Sequence, residues 1–170
     1  MSKISVLMSV YKKENPEYLR ASLESILVQT RTADEILLIE DGPLTQELYQ
    51  VVAEYQKKCD YLHVHAMEQN VQLGRALAKG VELCQYDLIA RMDTDDIAMP
   101  HRLEKEGAYM EAHPEVDVVG GAIREFNDEG TIDRVKNMPK TQEDILEYVK
   151  VRNPLNHMTV MYRKDSILKA

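Results

Sequence analysis

The chain alternates between continuous apolar runs and segments in which apolar residues return at every third or fourth position. Ile4-Ser5-Val6-Leu7-Met8-Ser9-Val10 is the first such run, it leads into Tyr11-Lys12-Lys13, and it predicts a buried strand. Pro16 then opens a helix, a position where its fixed φ and missing N–H cost nothing, and Leu19, Leu23, Ile26 and Leu27 recur at helical spacing. Glu35-Ile36-Leu37-Leu38-Ile39 reads as a second buried strand, closed by the breakers Gly42-Pro43 after Glu40-Asp41. A helix follows from Thr45 to Lys58 with Leu48, Val51, Val52 and Tyr55 on one face, and then a strand over Tyr61-Leu62-His63-Val64-His65-Ala66. Residues 73–84 form a helix faced by Leu73, Leu77, Val81 and Leu83, and strand four covers 86–92. Pro100 opens a helix to His113, before the breaker Pro114. Beyond it the pattern predicts a strand over residues 116–123, a hairpin turning at Asn127-Asp128-Glu129-Gly130, a helix over 141–150 and a strand at Thr159-Val160-Met161-Tyr162.

Buried strands alternating with helices predict an α/β fold with a mostly parallel sheet flanked by helices and a small antiparallel element near the C-terminal end. Ligands of such sheets sit at the carboxyl ends of the strands. Here those ends carry Tyr11, Glu40-Asp41 and Asp93-Thr94-Asp95-Asp96, so acidic groups distant in sequence converge on one edge.

The last of these clusters is the strongest chemical signal. Three carboxylates within four residues repel one another, and a hard divalent cation such as Mg²⁺ or Mn²⁺ neutralises them through oxygen ligands while bridging to substrate phosphates. A solvated acidic turn is the competing reading of the segment taken alone. The net charge of −8, from 21 Lys and Arg against 29 Asp and Glu, argues against a nucleic-acid surface and a polybasic membrane patch. The opening strand is too short for a secretory core or a membrane span. Cys59 and Cys84 lack metal-ligand spacing and read as free thiols of a reducing cytoplasm. A length of 170 residues suits one domain. The halt at Ala170, just after a strand and the start of a helix, leads us to expect a domain continued in a longer protein.

Other residues carry weaker signals. Asp41 suits the N–H of a nucleobase as well as it suits capping its own turn. Arg91 lies inside an apolar strand, where a guanidinium needs a carboxylate or phosphate partner. Arg75, in the helix start after Asn70, reads as a phosphate contact or a solvated side chain. His101 and Arg102 read as surface residues near the same edge, and His157 as a metal ligand, diphosphate partner, proton carrier or structural histidine. Neither GxGxxG nor GxxxxGK[ST] is present, which counts against an ordinary dinucleotide or P-loop enzyme.

Taken in order, these segments resemble the bacterial family-two glycosyltransferases of the GT-A fold. Ser5–Tyr11 resembles the family's opening strand and Leu23–Thr30 its sequel; Ile39–Pro43 resembles an Asp-Asp-Gly-Ser turn; Asn70–Leu77 resembles Asn-x-Gly-Leu-Gly-x-Ala-Leu; Ala90–Asp96 with Met99–Lys105 resembles the DxD region. The resemblance covers nearly the whole chain and points to enzymes of exopolysaccharide, capsule or O-antigen assembly. It implies a GT-A, Rossmann-like fold and an inverting, metal-dependent transfer from a nucleotide-sugar donor, usually a UDP-sugar, to a glycan or polyprenyl-diphosphate-linked acceptor. It implies that Ser9, Val10 and Tyr11 line the nucleotide pocket, that Asp41 reads the base, and that Arg75 and Arg91 lie near the diphosphate. Asp93, Thr94 and Asp95 would form the DxD element, with Asp95 or Asp96 on Mn²⁺ or Mg²⁺. It also implies a cytoplasmic protein working at the inner face of the membrane.

The chain departs from the pattern at Glu40 and Pro43, which bear on base recognition, and at Gln72, which replaces a glycine. The family's general base is expected beyond Ala170, with Glu125 and Asp128 as weak substitutes. Two alternatives remain at this point: a nucleotide-sugar-binding domain without catalysis, and a Mg²⁺-dependent receiver-like signalling module. The second needs an acidic pair after the first strand, where Tyr11-Lys12-Lys13 stands.

Overall fold

A computed structural model describes residues 1–127 and 131–169. Five strands, β1 (Ile4–Val10), β2 (Glu35–Glu40), β3 (Leu62–Ala66), β4 (Leu88–Arg91) and β5 (Val118–Val119), are joined in one sheet by the later strand β8 (Met161–Arg163), in the order β3-β2-β1-β4-β8-β5. β1 pairs in parallel with β2 and β4, and β2 with β3, whereas β8 runs antiparallel to both its neighbours. A separate antiparallel ribbon consists of β6 (Ile123–Phe126) and β7 (Asp133–Lys136). The mostly parallel sheet and the small antiparallel element are those the sequence predicts.

Alternation along the strands sorts side chains to two cores. Val6, Met8, Ile36 and Leu38 face helices α1 (Pro16–Leu27) and α2 (Gln46–Lys58), where they meet Leu23, Ile26, Leu48 and Val52. Leu7, Leu37 and Ile39 face the opposite way onto Ala76, Leu77 and Val81 of α3 (Leu73–Leu83). Both faces of β1 and β2 are therefore covered, which explains why their sequences read as continuous rather than alternating apolar runs. Pro16 stands at the start of α1, where Asn15 Oδ1 accepts the Glu17 N–H at 2.9 Å, and Thr45 caps α2 through the Leu48 N–H.

Several boundaries differ from expectation. The helix expected from Pro100 begins at Arg102 as α4 (Arg102–Ala112). The strand expected over 116–123 is cut to Val118–Val119, because Gly121 gives its N–H to Thr159 Oγ1 and its carbonyl to Asn156 Nδ2 instead of to a neighbouring strand. The last strand starts at Met161, after a short 3₁₀ turn over His157–Thr159 closed by the Thr159 hydroxyl on the Asn156 carbonyl. The helix expected over 141–150 is the shorter α5 (Gln142–Tyr148), and α6 (Lys164–Lys169) follows β8. The expected turn at Asn127–Gly130 falls largely on residues 128–130, outside those described. Among the described residues no helix is long and apolar enough to cross a membrane.

Candidate functional site

The chain places β2 and β3 on one side of β1 and β4 on the other, so the strand order reverses at β1. A crevice at the carboxyl edge is the expected ligand position for such a reversal. A cleft of about 400 Å³ opens there, lined by Ser9, Tyr11, Glu14, Asp41, Asn70, Gln72, Leu73, Asp93, Thr94 and Asp95. Side chains from four separate strand ends thus share one space.

The acidic cluster follows β4 and is held from beneath by α1. Ser22 Oγ donates to the Asp93 carbonyl at 2.8 Å, Ser25 Oγ accepts the Ala98 N–H at 3.0 Å, and Gln29 bonds both the Met99 carbonyl and the Leu103 N–H. Ser22 and Ser25 sit on a buried face of α1 and Gln29 just beyond its C-terminal end, and together these buried side chains fix the loop from Asp93 to the start of α4 (Arg102–Ala112). From the front, the buried Thr94 hydroxyl donates to Glu14 at 2.6 Å. One carboxylate oxygen from each of Asp93, Asp95 and Asp96 can be chosen so that all lie within 4.8 Å of one another. Burial, and then the charges of Asp95 and Asp93, push the Asp96 carboxyl up to about 6, against the pull of Arg91 and Arg102. A set of three hard oxygen donors whose mutual repulsion is this strong fits Mg²⁺ or Mn²⁺.

At the opposite wall, Asp41 is 4% exposed and held on both oxygens: Val71 N–H donates to Oδ1 at 2.6 Å and Asn70 Nδ2 to Oδ2 at 2.9 Å. Each oxygen keeps a lone pair for a further donor. This arrangement depends on Gly42. Its φ of +83° suits glycine, and a Cβ there would stand 2.6 Å from the Asn70 nitrogen. Tyr11, 44% exposed, lines the same cleft as Asp41 and the acidic cluster.

The predicted residues divide accordingly. Ser9, Tyr11, Asp41, Asp93, Thr94 and Asp95 line the cleft, and Asp96 adjoins it. Val10 turns its side chain into the core and presents its carbonyl to the Asp41 N–H at 2.8 Å. Arg75 is exposed on α3 and does not line the cleft. Arg91 is 2% exposed beneath the cluster, where it pairs with Asp93, while its Nε and Nη1 find no hydrogen-bond partner among the described residues. Arg102 is not the surface residue its helix position suggests: its guanidinium reaches the Arg91 carbonyl at 2.8 Å and chelates Glu106 at 3.2 Å. His157 lies near enough to feel Arg91 and Asp93; burial, then Arg91, lower its pKa. His101 pairs with Glu104 in solvent. Glu125 pairs with Arg134 on the ribbon, and Asp128 lies outside the described residues. Sequence reasoning missed Glu14, Asn70, Gln72 and Leu73 as lining groups; their signal was only proximity to strand ends. Cys59 and Cys84 are both buried and free.

Residues 5–168 match the model for glycosyl transferase family 2. The chain is 45% identical over 166 residues to the amylovoran biosynthesis glycosyltransferase AmsE of Erwinia amylovora, covering 98% of this chain and 62% of that protein. It is 35% identical over 173 residues to the UDP-Gal:alpha-D-GlcNAc-diphosphoundecaprenol beta-1,3-galactosyltransferase of Escherichia coli, covering 98% of this chain and 60% of that one. The chain thus spans less than two thirds of the length of these relatives. Among solved structures, S. aureus TarS 1-349 in complex with UDP-GlcNAc superposes with a TM-score of 0.75 at 20% identity, over 98% of this chain and 47% of TarS, which establishes a shared GT-A fold. A matched family model over almost every residue, and relatives that share close to half of the sequence, lead to one assignment: the chain belongs to glycosyl transferase family 2.

Proposed function

We propose that this chain forms the donor-binding domain of an inverting glycosyltransferase that moves a sugar from a UDP-sugar to a glycan or polyprenyl-diphosphate-linked acceptor in bacterial surface-polysaccharide assembly. The observation that carries the proposal is the convergence of Tyr11, Asp41 and the Asp93–Asp95 cluster on one cleft at the switch point of the sheet. The E. coli relative, whose name specifies UDP-Gal and a diphosphoundecaprenol acceptor, supports this choice of donor and acceptor class.

Each wall has a separate task. The Asp41 carboxylate, fixed by Asn70 and Val71, accepts the ring N–H of uracil with no reorientation on binding. The Tyr11 ring supplies a stacking surface for the base. Asp93, Asp95 and Asp96 would hold the divalent ion, which when bound supplies Lewis-acid neutralisation of the leaving diphosphate. Glu14 and Ser22 hold the loop carrying those carboxylates, so that they are preset when the donor arrives. In the reaction an acceptor hydroxyl attacks the anomeric carbon. The bond from that carbon to the phosphate oxygen breaks, its electron pair stays on the diphosphate, and the hydroxyl proton passes to a general base.

Saturation-transfer NMR with a panel of UDP-sugars tests the donor assignment. Transfer to both uracil and sugar protons is expected, and its absence with every UDP-sugar refutes the reading. Inversion is read from the anomeric configuration of the product in the transferase that contains this domain, and a product with the donor's configuration refutes it.

A further inference from the structure

Among the described residues, Gln72 is the one non-glycine with positive φ, at φ 73° and ψ 153°. This part of backbone space is populated almost entirely by glycine, because a Cβ there crowds the chain, and a residue held in it is strained. Strain of this kind persists when the surroundings impose it, and it clusters where a side chain is needed. No side-chain hydrogen bond of Gln72 among the described residues offsets it. Gln72 occupies the N-cap position of α3 but makes no side-chain capping bond. Its amide has no hydrogen-bond partner among the described residues, and the residue is exposed. What it does is line the donor cleft, directly after Asn70 and Val71, which hold the two oxygens of Asp41.

We infer that Gln72 is a specificity residue for the donor's nucleobase. The inference rests on the donor reading given above. Asp41, as a fixed acceptor, takes the ring N–H of uracil; the Gln72 amide, on the adjoining loop, donates to the carbonyl oxygen beside it. Carboxylate and amide together match the carbonyl–N–H edge of uracil. Cytosine presents a ring nitrogen without hydrogen toward Asp41, so the pair rejects it. A glycine at this position would be easier on the backbone and would leave Asp41 to read the base alone.

The test is calorimetric titration of the chain with UDP, CDP and GDP, for the wild type, Gln72→Ala and Gln72→Gly, with melting temperatures measured alongside. Gln72→Ala keeps the backbone strain and removes the amide. It is expected to weaken UDP binding about fivefold to tenfold, the worth of one hydrogen bond, and to change CDP affinity by less than about twofold. Gln72→Gly is expected to weaken UDP binding equally and to raise Tm by roughly 2–6 °C as the strain is released. Unchanged UDP affinity in Gln72→Ala, beside a wild type that binds UDP, overturns the role of Gln72 and leaves the donor reading standing. Equal losses for UDP, CDP and GDP overturn base reading in favour of a phosphate or ribose contact. A wild type that binds no nucleotide overturns the donor reading and this inference with it.

Discussion

Replacing Arg91 by methionine isolates the electrostatics beneath the acidic cluster. The guanidinium is 2% exposed and pairs with Asp93, whose side chain is 24% exposed, so the substitution leaves a largely desolvated carboxylate without its cation beside two further acids. Removing one partner of a buried pair costs about 3–5 kcal/mol, and the partial exposure of Asp93 brings the expected loss to about 2–4 kcal/mol. One further term shapes the result. Arg91 Nε and Nη1 are buried without partners among the described residues, a cost that methionine abolishes. The double variant Arg91→Met, Asp93→Asn removes both charges and is therefore expected within about 1 kcal/mol of the wild type, far from the sum of two single losses. Mn²⁺ at millimolar concentration is expected to stabilise Arg91→Met more than the wild type, since the cluster then lacks its resident cation. Urea unfolding followed by circular dichroism, with and without Mn²⁺, reads all three. A single variant within about 0.5 kcal/mol of the wild type, the limit for a featureless surface change, or additive losses in the double variant, refutes the view that Arg91 neutralises Asp93.

Two other substitutions probe the same edge. Gly42→Ala places a Cβ against the Asn70 backbone at positive φ, and a stability loss of about 2–4 kcal/mol with weakened UDP binding is expected; a variant that melts and binds like the wild type would show that the Asp41 turn tolerates displacement. Glu106, buried beside Arg102, has its carboxyl pushed up to about 7 by burial, against the pull of that arginine. A folded pKa above the unfolded value of about 4.5 means a contribution to stability fully present below that value and lost as pH rises through about 7. Stability should therefore fall by on the order of 1–3 kcal/mol between about pH 5 and 8 on this account, and less steeply in Glu106→Gln; parallel pH profiles of the two proteins would contradict it.

Much of the parallel part of the fold is legible in the sequence, because strands buried on both faces must be apolar throughout and the helices between them must carry one apolar stripe. Legibility fails after Pro114. The run Val116–Ile123 looks like one strand, but Gly120-Gly121 lets the backbone turn toward Asn156 and Thr159, whose side chains take the bonds a strand neighbour would have made. The site divides in the same way. Asp41 and Asp93–Asp96 are visible because carboxylates at the ends of apolar strands are chemically unusual. The residues that hold them are not: Ser22 and Ser25 on α1 and Gln29 just after it look one by one like solvated polar positions, and only their shared contact with the loop after β4 gives them meaning. Arg102 was hidden for a related reason, since its long side chain carries the charge back to the Arg91 carbonyl, away from where helix position alone would put it.

The central claim is a nucleotide-diphosphate site built from the edge carboxylates, and calorimetric titration with UDP in the presence and absence of Mn²⁺ tests it most directly, with ADP and GDP as controls. The account predicts that UDP binds in preference to the purine nucleotides, that Mn²⁺ tightens it, and that Asp95→Ala removes the effect of the metal. Failure of UDP to bind with or without Mn²⁺, or an Asp95→Ala variant that retains the full metal dependence, would contradict it.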